Sequence, residues 1–248
     1  MKPAAKYGLI AAVVIVVLGG LGIFWFLRDD SPDEVSLDAA REAVTETTAG
    51  SDTPAASGSA RDGDISGSWT VDTETGDFDF DSASGTFAGV RIAEELASIG
   101  STTAVGRTGD VAGTVVIDGT TVTAADIEVD MTTITTNDPR RDNKVQEALD
   151  TGEFPTATFS LTEPIELGAR ATSGEEVSVT AVGDLTIHGV TQQVEMPLQA
   201  QLVDGTIVIV GSVEIAFSDY DVEVPSAPIV VSVDDVGTME LQLLLTRS

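Results

Sequence analysis

From Val177 onward the chain alternates apolar and polar residues with a period of two. Val177, Val179, Ala181, Gly183, Leu185 and Ile187 share one parity, with Ser178, Thr180, Val182, Asp184 and Thr186 between them. The same pattern returns in Val194, Met196, Leu198, Ala200 and Leu202, in Ile207, Ile209, Gly211, Val213, Ile215 and Phe217, and in Met239, Leu241, Leu243 and Leu245. Shorter runs occur at Trp69/Val71, Phe78/Phe80, Val115/Ile117, Ile127/Val129/Met131 and Ala157/Phe159/Leu161. Successive side chains of a strand point to opposite faces, so each run predicts a strand with one apolar and one polar face. That is the pattern of antiparallel sheet with one side in water. Asp118-Gly119, His188-Gly189 and Asp204-Gly205 fall between runs, where hairpin turns belong. Strands with one inner face must stack as a sandwich or close on themselves, and a closed barrel of about eight can enclose one small ligand.

Two segments depart from the alternation. Ile92, Leu96 and Ile99 within Arg91–Ile99 have helical spacing, as do Val145 and Leu149 within Asp138–Leu149, where Pro139 suits a first turn. Both read as short helices forming lids or plugs at the barrel ends.

Ahead of the alternating region lies an uncharged apolar run, Tyr7–Leu27. At about 1.5 Å per residue it is long enough to cross a bilayer core of about 30 Å. Lys2 and Lys6 precede it, and Asp29, Asp30, Asp33 and Glu34 follow Arg28. This asymmetry predicts a cytoplasmic N-terminus and an extracytoplasmic body. The run ends in Phe24-Trp25-Phe26-Leu27, an interfacial belt rather than a signal-peptide cleavage site. Residues 29–64 are rich in Ser, Thr, Ala, Asp, Pro and Gly and read as a disordered tether, with Ser31-Pro32 able to start a short helix reaching about Glu46. The expected organisation is a cytoplasmic end and membrane anchor over 1–28, a polar linker over 29–64 and one β domain over 65–248.

The formal charge of −29 opposes binding to nucleic acid or anionic headgroups. With no cysteine and one histidine, the chain lacks thiol nucleophiles and the usual transition-metal ligand sets. Asp77, Asp79 and Asp81 have the spacing that opens a calcium loop, but Ser82 and Ala88 stand where that loop needs Gly and Glu. Arg140-Arg141-Asp142 reads as a salt-bridged helix face, and His188 as an exposed turn residue. No nucleophile elbow or phosphate loop is present. No catalytic residue, metal site or cofactor is expected, and the chain does not read as an enzyme.

Three motifs occur in order: Arg140-Arg141-Asp142-Asn143, Glu153-Phe154-Pro155-Thr156-Ala157-Thr158-Phe159, and Gly183-Asp184-Leu185-Thr186-Ile187-His188-Gly189-Val190-Thr191. Together they resemble the YceI-like family of bacterial lipid- or polyisoprenoid-binding domains over roughly Ser66–Arg247. Val90–Gly100 and Thr103–Thr108 look like its actinobacterial branch. The resemblance implies a lipocalin-like antiparallel barrel whose apolar cavity binds a long isoprenoid chain. Many members carry histidines in the opening strands, where this chain has Asp77 to Asp81, so no histidine-dependent role carries over. The expected fold is mainly β, with two short helices, preceded by a transmembrane helix and tether. The expected partner is an apolar lipid chain, polyisoprenoid or isoprenoid-quinone-type, and the alternative is an interaction module of the cell envelope with a filled barrel. Trp69, Phe80, Phe159, Met196, Ile209, Phe217 and Leu243 are the candidate cavity residues, with Ile92 and Leu96 at a lid.

Overall fold

The computed structural model describes residues 31–50, 64–75, 78–82, 84–97, 100–223 and 230–248. The apolar run Tyr7–Leu27 lies outside them. Among the described residues no helix is long and apolar enough to cross a membrane. In chain order the elements are α1 (Leu37–Gly50), β1 (Gly67–Val71), β2 (Phe87–Leu96), β3 (Gly100–Thr108), β4 (Val111–Asp118), β5 (Thr121–Asp130), β6 (Thr135–Thr136), α2 (Pro139–Ala148), β7 (Thr156–Leu161), β8 (Ile165–Glu166), α3 (Ala169–Thr172), β9 (Val177–Ile187), β10 (Val190–Val203), β11 (Thr206–Ala216), β12 (Val230–Val233) and β13 (Val236–Arg247).

Eight strands close an antiparallel barrel in the order β1-β4-β5-β7-β9-β10-β11-β13, and β13 returns to β1. Trp69, Thr70 and Val71 pair with Arg247, Thr246 and Leu245 at this closing seam. The other end of β13, Thr238–Gln242, pairs instead with β2, which carries β3 and then β6. The wall therefore forks at β13. Hairpin chemistry sets the register of two long pairs. His188 and Gly189 have φ of 51° and 74°, and Asp204 and Gly205 have 49° and 88°. Two consecutive positive φ values define the turn whose twist matches the flanking strands. The β4–β5 connection turns on Gly119-Thr120, one residue later than the sequence suggested.

The predicted inner faces are inside. Val115, Ile117, Val177, Ala181, Ile207, Leu243 and Leu245 form one buried cluster with Trp69, and Ala157, Leu185, Ile187, Ile215 and Tyr220 form another. Part of the outer face is buried too. Leu37, Ala40 and Val44 of α1 pack on Val208, Val210 and Leu244, which point away from the barrel interior. The N-terminal end of this segment is bolted down by two arginines. Arg91 Nη1 donates to the Pro32 carbonyl (2.8 Å), and Arg107 Nη2 donates to the Asp33 carbonyl (2.7 Å).

Three expectations are corrected. Residues 91–96 belong to strand β2, not to a helix, because β3 pairs along one edge and β13 and β12 along the other. Ladder bonds on both sides outweigh the helical propensity of Ala-Glu-Glu-Leu. Residues 29–64 are not wholly a disordered tether, since α1 docks on the barrel wall, so the described residues hold three short helices rather than two. Phe78 and Phe80 lie in no strand; a single bridge joins Asp79 to Ser84. Helix α2 is as expected, with Pro139 in its first turn and the Asp138 carboxylate accepting from the Arg140 backbone N–H (3.0 Å).

Candidate ligand cavity

Aliphatic side chains of the barrel strands leave space along the axis. The central cavity offers about 130 Å³ to the centre of a water-sized sphere. A second cavity of about 80 Å³ shares Ala88, Val129, Ala157 and Met239 with it. A third of about 60 Å³ shares Val115, Val122, Leu167, Ala200 and Ile209 with it from the opposite side. The three stack as a column. The second lies under a plug formed by the 3-10 turn Phe217–Tyr220 and by Leu149 at the end of α2, and the third lies at the β10–β11 hairpin end. One water needs only about 10–15 Å³ on this measure, but it also needs polar partners. These walls are almost wholly hydrocarbon. Among the described residues no Lys, Arg or His lines any of the three.

The plug is pinned by His188. Its Nδ1 lies 3.1 Å from the Tyr220 carbonyl, so this nitrogen carries the proton and donates. The imidazole meets Phe154 edge-on, with centroids 4.9 Å apart. His188 is thus a half-buried fastener rather than a free turn residue. Burial raises the Tyr220 phenol above its usual pKa of about 10, with the nearby Asp219 carboxylate adding to the shift. Tyr220 is 2% exposed, lines the second cavity, and its hydroxyl has no hydrogen-bond partner among the described residues.

Of the residues expected from sequence, Phe159, Met196, Ile209 and Leu243 line the central cavity and Phe217 lines the second. Trp69 is buried beside the seam, with its indole N–H donating to the Ile65 carbonyl (2.9 Å) and Arg247 over its ring at 4.9 Å. It lines none of the three cavities. Phe80 lies on the outer face near Arg107, 6.0 Å from ring centroid to guanidinium carbon. Ile92 is half-buried in β2 and lines none of the cavities; Leu96 ends that strand. Sequence reading missed Tyr220, which follows the last alternating apolar residue of its run and carries no periodic signal. It also missed Ala88 and Met239, whose strands flank the fork.

The polar clusters are otherwise accounted for. Arg140 pairs with Asp138, whose carboxyl is held below its ordinary pKa chiefly by the Arg140 hydrogen bond, and Arg141 pairs with Glu94. Asp79 accepts from the Ser82 backbone N–H (2.7 Å), a bond that lowers its pKa. Among the described residues no group of three or more His, Cys, Asp or Glu is placed to hold a metal.

The model of the YceI-like domain matches residues 69–245. The chain belongs to the YceI-like domain family. Two solved structures share the barrel. A polyisoprenoid binding domain from Saccharophagus degradans, implicated in plant cell wall breakdown, aligns at 16% identity and a TM-score of 0.51, over 66% of this chain and 98% of that one. BcnA from Burkholderia cenocepacia aligns at 18% identity and a TM-score of 0.50, over 64% of this chain and 95% of that one. No match was found among curated proteins. Within the YceI-like domain, the second and third of the three motif segments touch each other. Phe154 packs over Gly189 and Phe159 over Gly183, so closely that a Cβ on either glycine would collide with the ring.

Proposed function

We propose that this YceI-like protein is a membrane-anchored, extracytoplasmic binding protein for an apolar chain of the polyisoprenoid or isoprenoid-quinone type, and not an enzyme. The observation that carries this reading is the cavity column, whose walls are almost wholly hydrocarbon and, among the described residues, include no Lys, Arg or His. The relative from Saccharophagus degradans, described as a polyisoprenoid binding domain, points the same way. The anchor and its orientation rest on the uncharged run Tyr7–Leu27 and the basic residues before it. Binding would be driven by removing the chain from water, at about 0.8 kcal/mol per buried CH₂ before ordering costs.

The test is lipid extraction and mass spectrometry on residues 31–248, exported in bacteria and purified without detergent. A stoichiometric isoprenoid chain is expected. An Ala181→Phe variant, which places a ring in the central cavity, should fold, as judged by circular dichroism, and carry none. A folded wild-type protein that neither retains nor takes up lipid would overturn the carrier reading and leave the filled-barrel interaction module.

A further inference from the structure

Among the described residues, three buried side-chain atoms have no hydrogen-bond partner: Arg141 Nη1, Glu240 Oε2 and Tyr220 Oη. Buried polar atoms are nearly always bonded, so each requires a reason. The first two belong to ion pairs. Arg141 faces Glu94, and Glu240 faces Arg107, with Arg91 3.9 Å from Oε2. Tyr220 has no such partner. Its backbone carbonyl is held by His188, and its ring lies in the wall of the cavity under the plug. The other side-chain hydroxyl of that wall, on Thr108, is already engaged with Thr133 at 2.7 Å. Tyr220 therefore brings a buried hydroxyl, without a partner among the described residues, to the lining of the second cavity, whose other side chains apart from Thr108 are hydrocarbon or thioether.

Resting on the carrier reading, we infer that the Tyr220 hydroxyl donates a hydrogen bond to an uncharged carbonyl oxygen at the polar end of the ligand, as on a quinone ring. The ligand thus lies with its head under the Phe217–Tyr220 plug and its tail along the barrel axis. The head must be uncharged because, among the described residues, no Lys, Arg or His lines the cavity. A phosphate or diphosphate there would be a buried anion without a counter-charge. Tyrosine combines the two properties this position needs, since its ring completes the apolar wall while its hydroxyl supplies one directional contact. The raised phenol pKa keeps that donor protonated at physiological pH.

The experiment titrates the full-length protein, stripped of lipid and held in amphipol, with three probes sharing one short prenyl tail: a prenylated benzoquinone, the corresponding prenylated benzene, and the prenyl diphosphate. Tyr220→Phe removes only the hydroxyl. It should weaken quinone binding roughly five- to tenfold, the weight of one neutral hydrogen bond. It should leave the benzene's affinity unchanged, and the ligand-free variant should melt no lower than wild type, because an unpartnered buried hydroxyl adds nothing to the empty fold. The diphosphate should bind weakest to the wild-type protein. Unchanged quinone affinity in Tyr220→Phe overturns the inference while the carrier reading stands. Equal loss of quinone and benzene overturns it as well, by making the hydroxyl a packing element. Diphosphate binding as tight as quinone binding removes the uncharged head. If neither uncharged probe binds wild type, the carrier reading fails and the inference goes with it.

Discussion

Gly189 sits in the β9–β10 turn at φ +74°, and a Cβ there would come 2.5 Å from Phe154 Cε1. Gly205, in the β10–β11 turn, has a similar φ of +88° but open space around it. The two positions separate backbone strain from ring contact. Gly205→Ala should cost about 1–2 kcal/mol, the left-handed penalty alone. Gly189→Ala should exceed it by roughly 1–3 kcal/mol, because the Phe154 ring must move and take the His188 contact with it. Paired denaturant titrations read the difference; equal losses would mean that the ring yields freely. The His-Gly of the motif thus has a physical role at the plug, and the residue it fastens is Tyr220.

At the scale of elements, the barrel strands were legible and what covers them was not. Period two placed β7, β9, β10, β11 and β13 correctly because each alternates cleanly and is bounded by turn residues. It misplaced residues 91–96, where local propensity and spacing favour helix and the deciding ladder bonds come from the neighbouring β3 on one edge and, on the other, from β12 and β13, which are distant in sequence. The docking of α1 did leave a trace. Ile207–Val210 of β11 and Leu243–Leu245 of β13 are apolar on both parities, the mark of a strand buried on both faces. Leu37, Ala40 and Val44 supply the matching helical stripe. The cavity walls could be read as inward positions, but whether an inward side chain faces space or another side chain depends on packing across the barrel. That is why Trp69 and Met196 looked alike. Val44→Asp places a carboxylate in the α1 contact and should release the helix without opening the barrel. Faster amide exchange over α1, dye binding to the uncovered β11 and β13 faces and unchanged lipid retention are the expected signs; lost retention would tie α1 to the cavity itself.

Across the whole molecule, a fully buried arginine joins parts that the chain separates widely. Arg107 is 0% exposed. It donates through Nε to Glu240 of β13 (2.8 Å) and through Nη1 to the Phe80 carbonyl (3.0 Å), and lies 4.7 Å from the Phe87 ring centroid. The same guanidinium holds the Asp33 carbonyl. One side chain thus binds the barrel wall, the branch at β2–β3 and the N-terminal segment. Arg107→Met strands a buried carboxylate and should cost about 3–5 kcal/mol, whereas Arg107→Met with Glu240→Leu should recover most of the loss. A double-mutant cycle by thermal unfolding measures it. Failure of the double variant to recover would shift the weight of the cluster onto the carbonyl contacts.

Fastening at Pro32 and Asp33 also sets how far the barrel can wander. A free coil over residues 29–64 would let the domain roam about 30–36 Å from its point of attachment. With the chain seized at Pro32 and laid along the outer wall through Val44, that freedom is removed before the coil can express it. From Pro32 the described chain therefore runs on the barrel's flank at a fixed address, more a strap riveted to a wall than a leash.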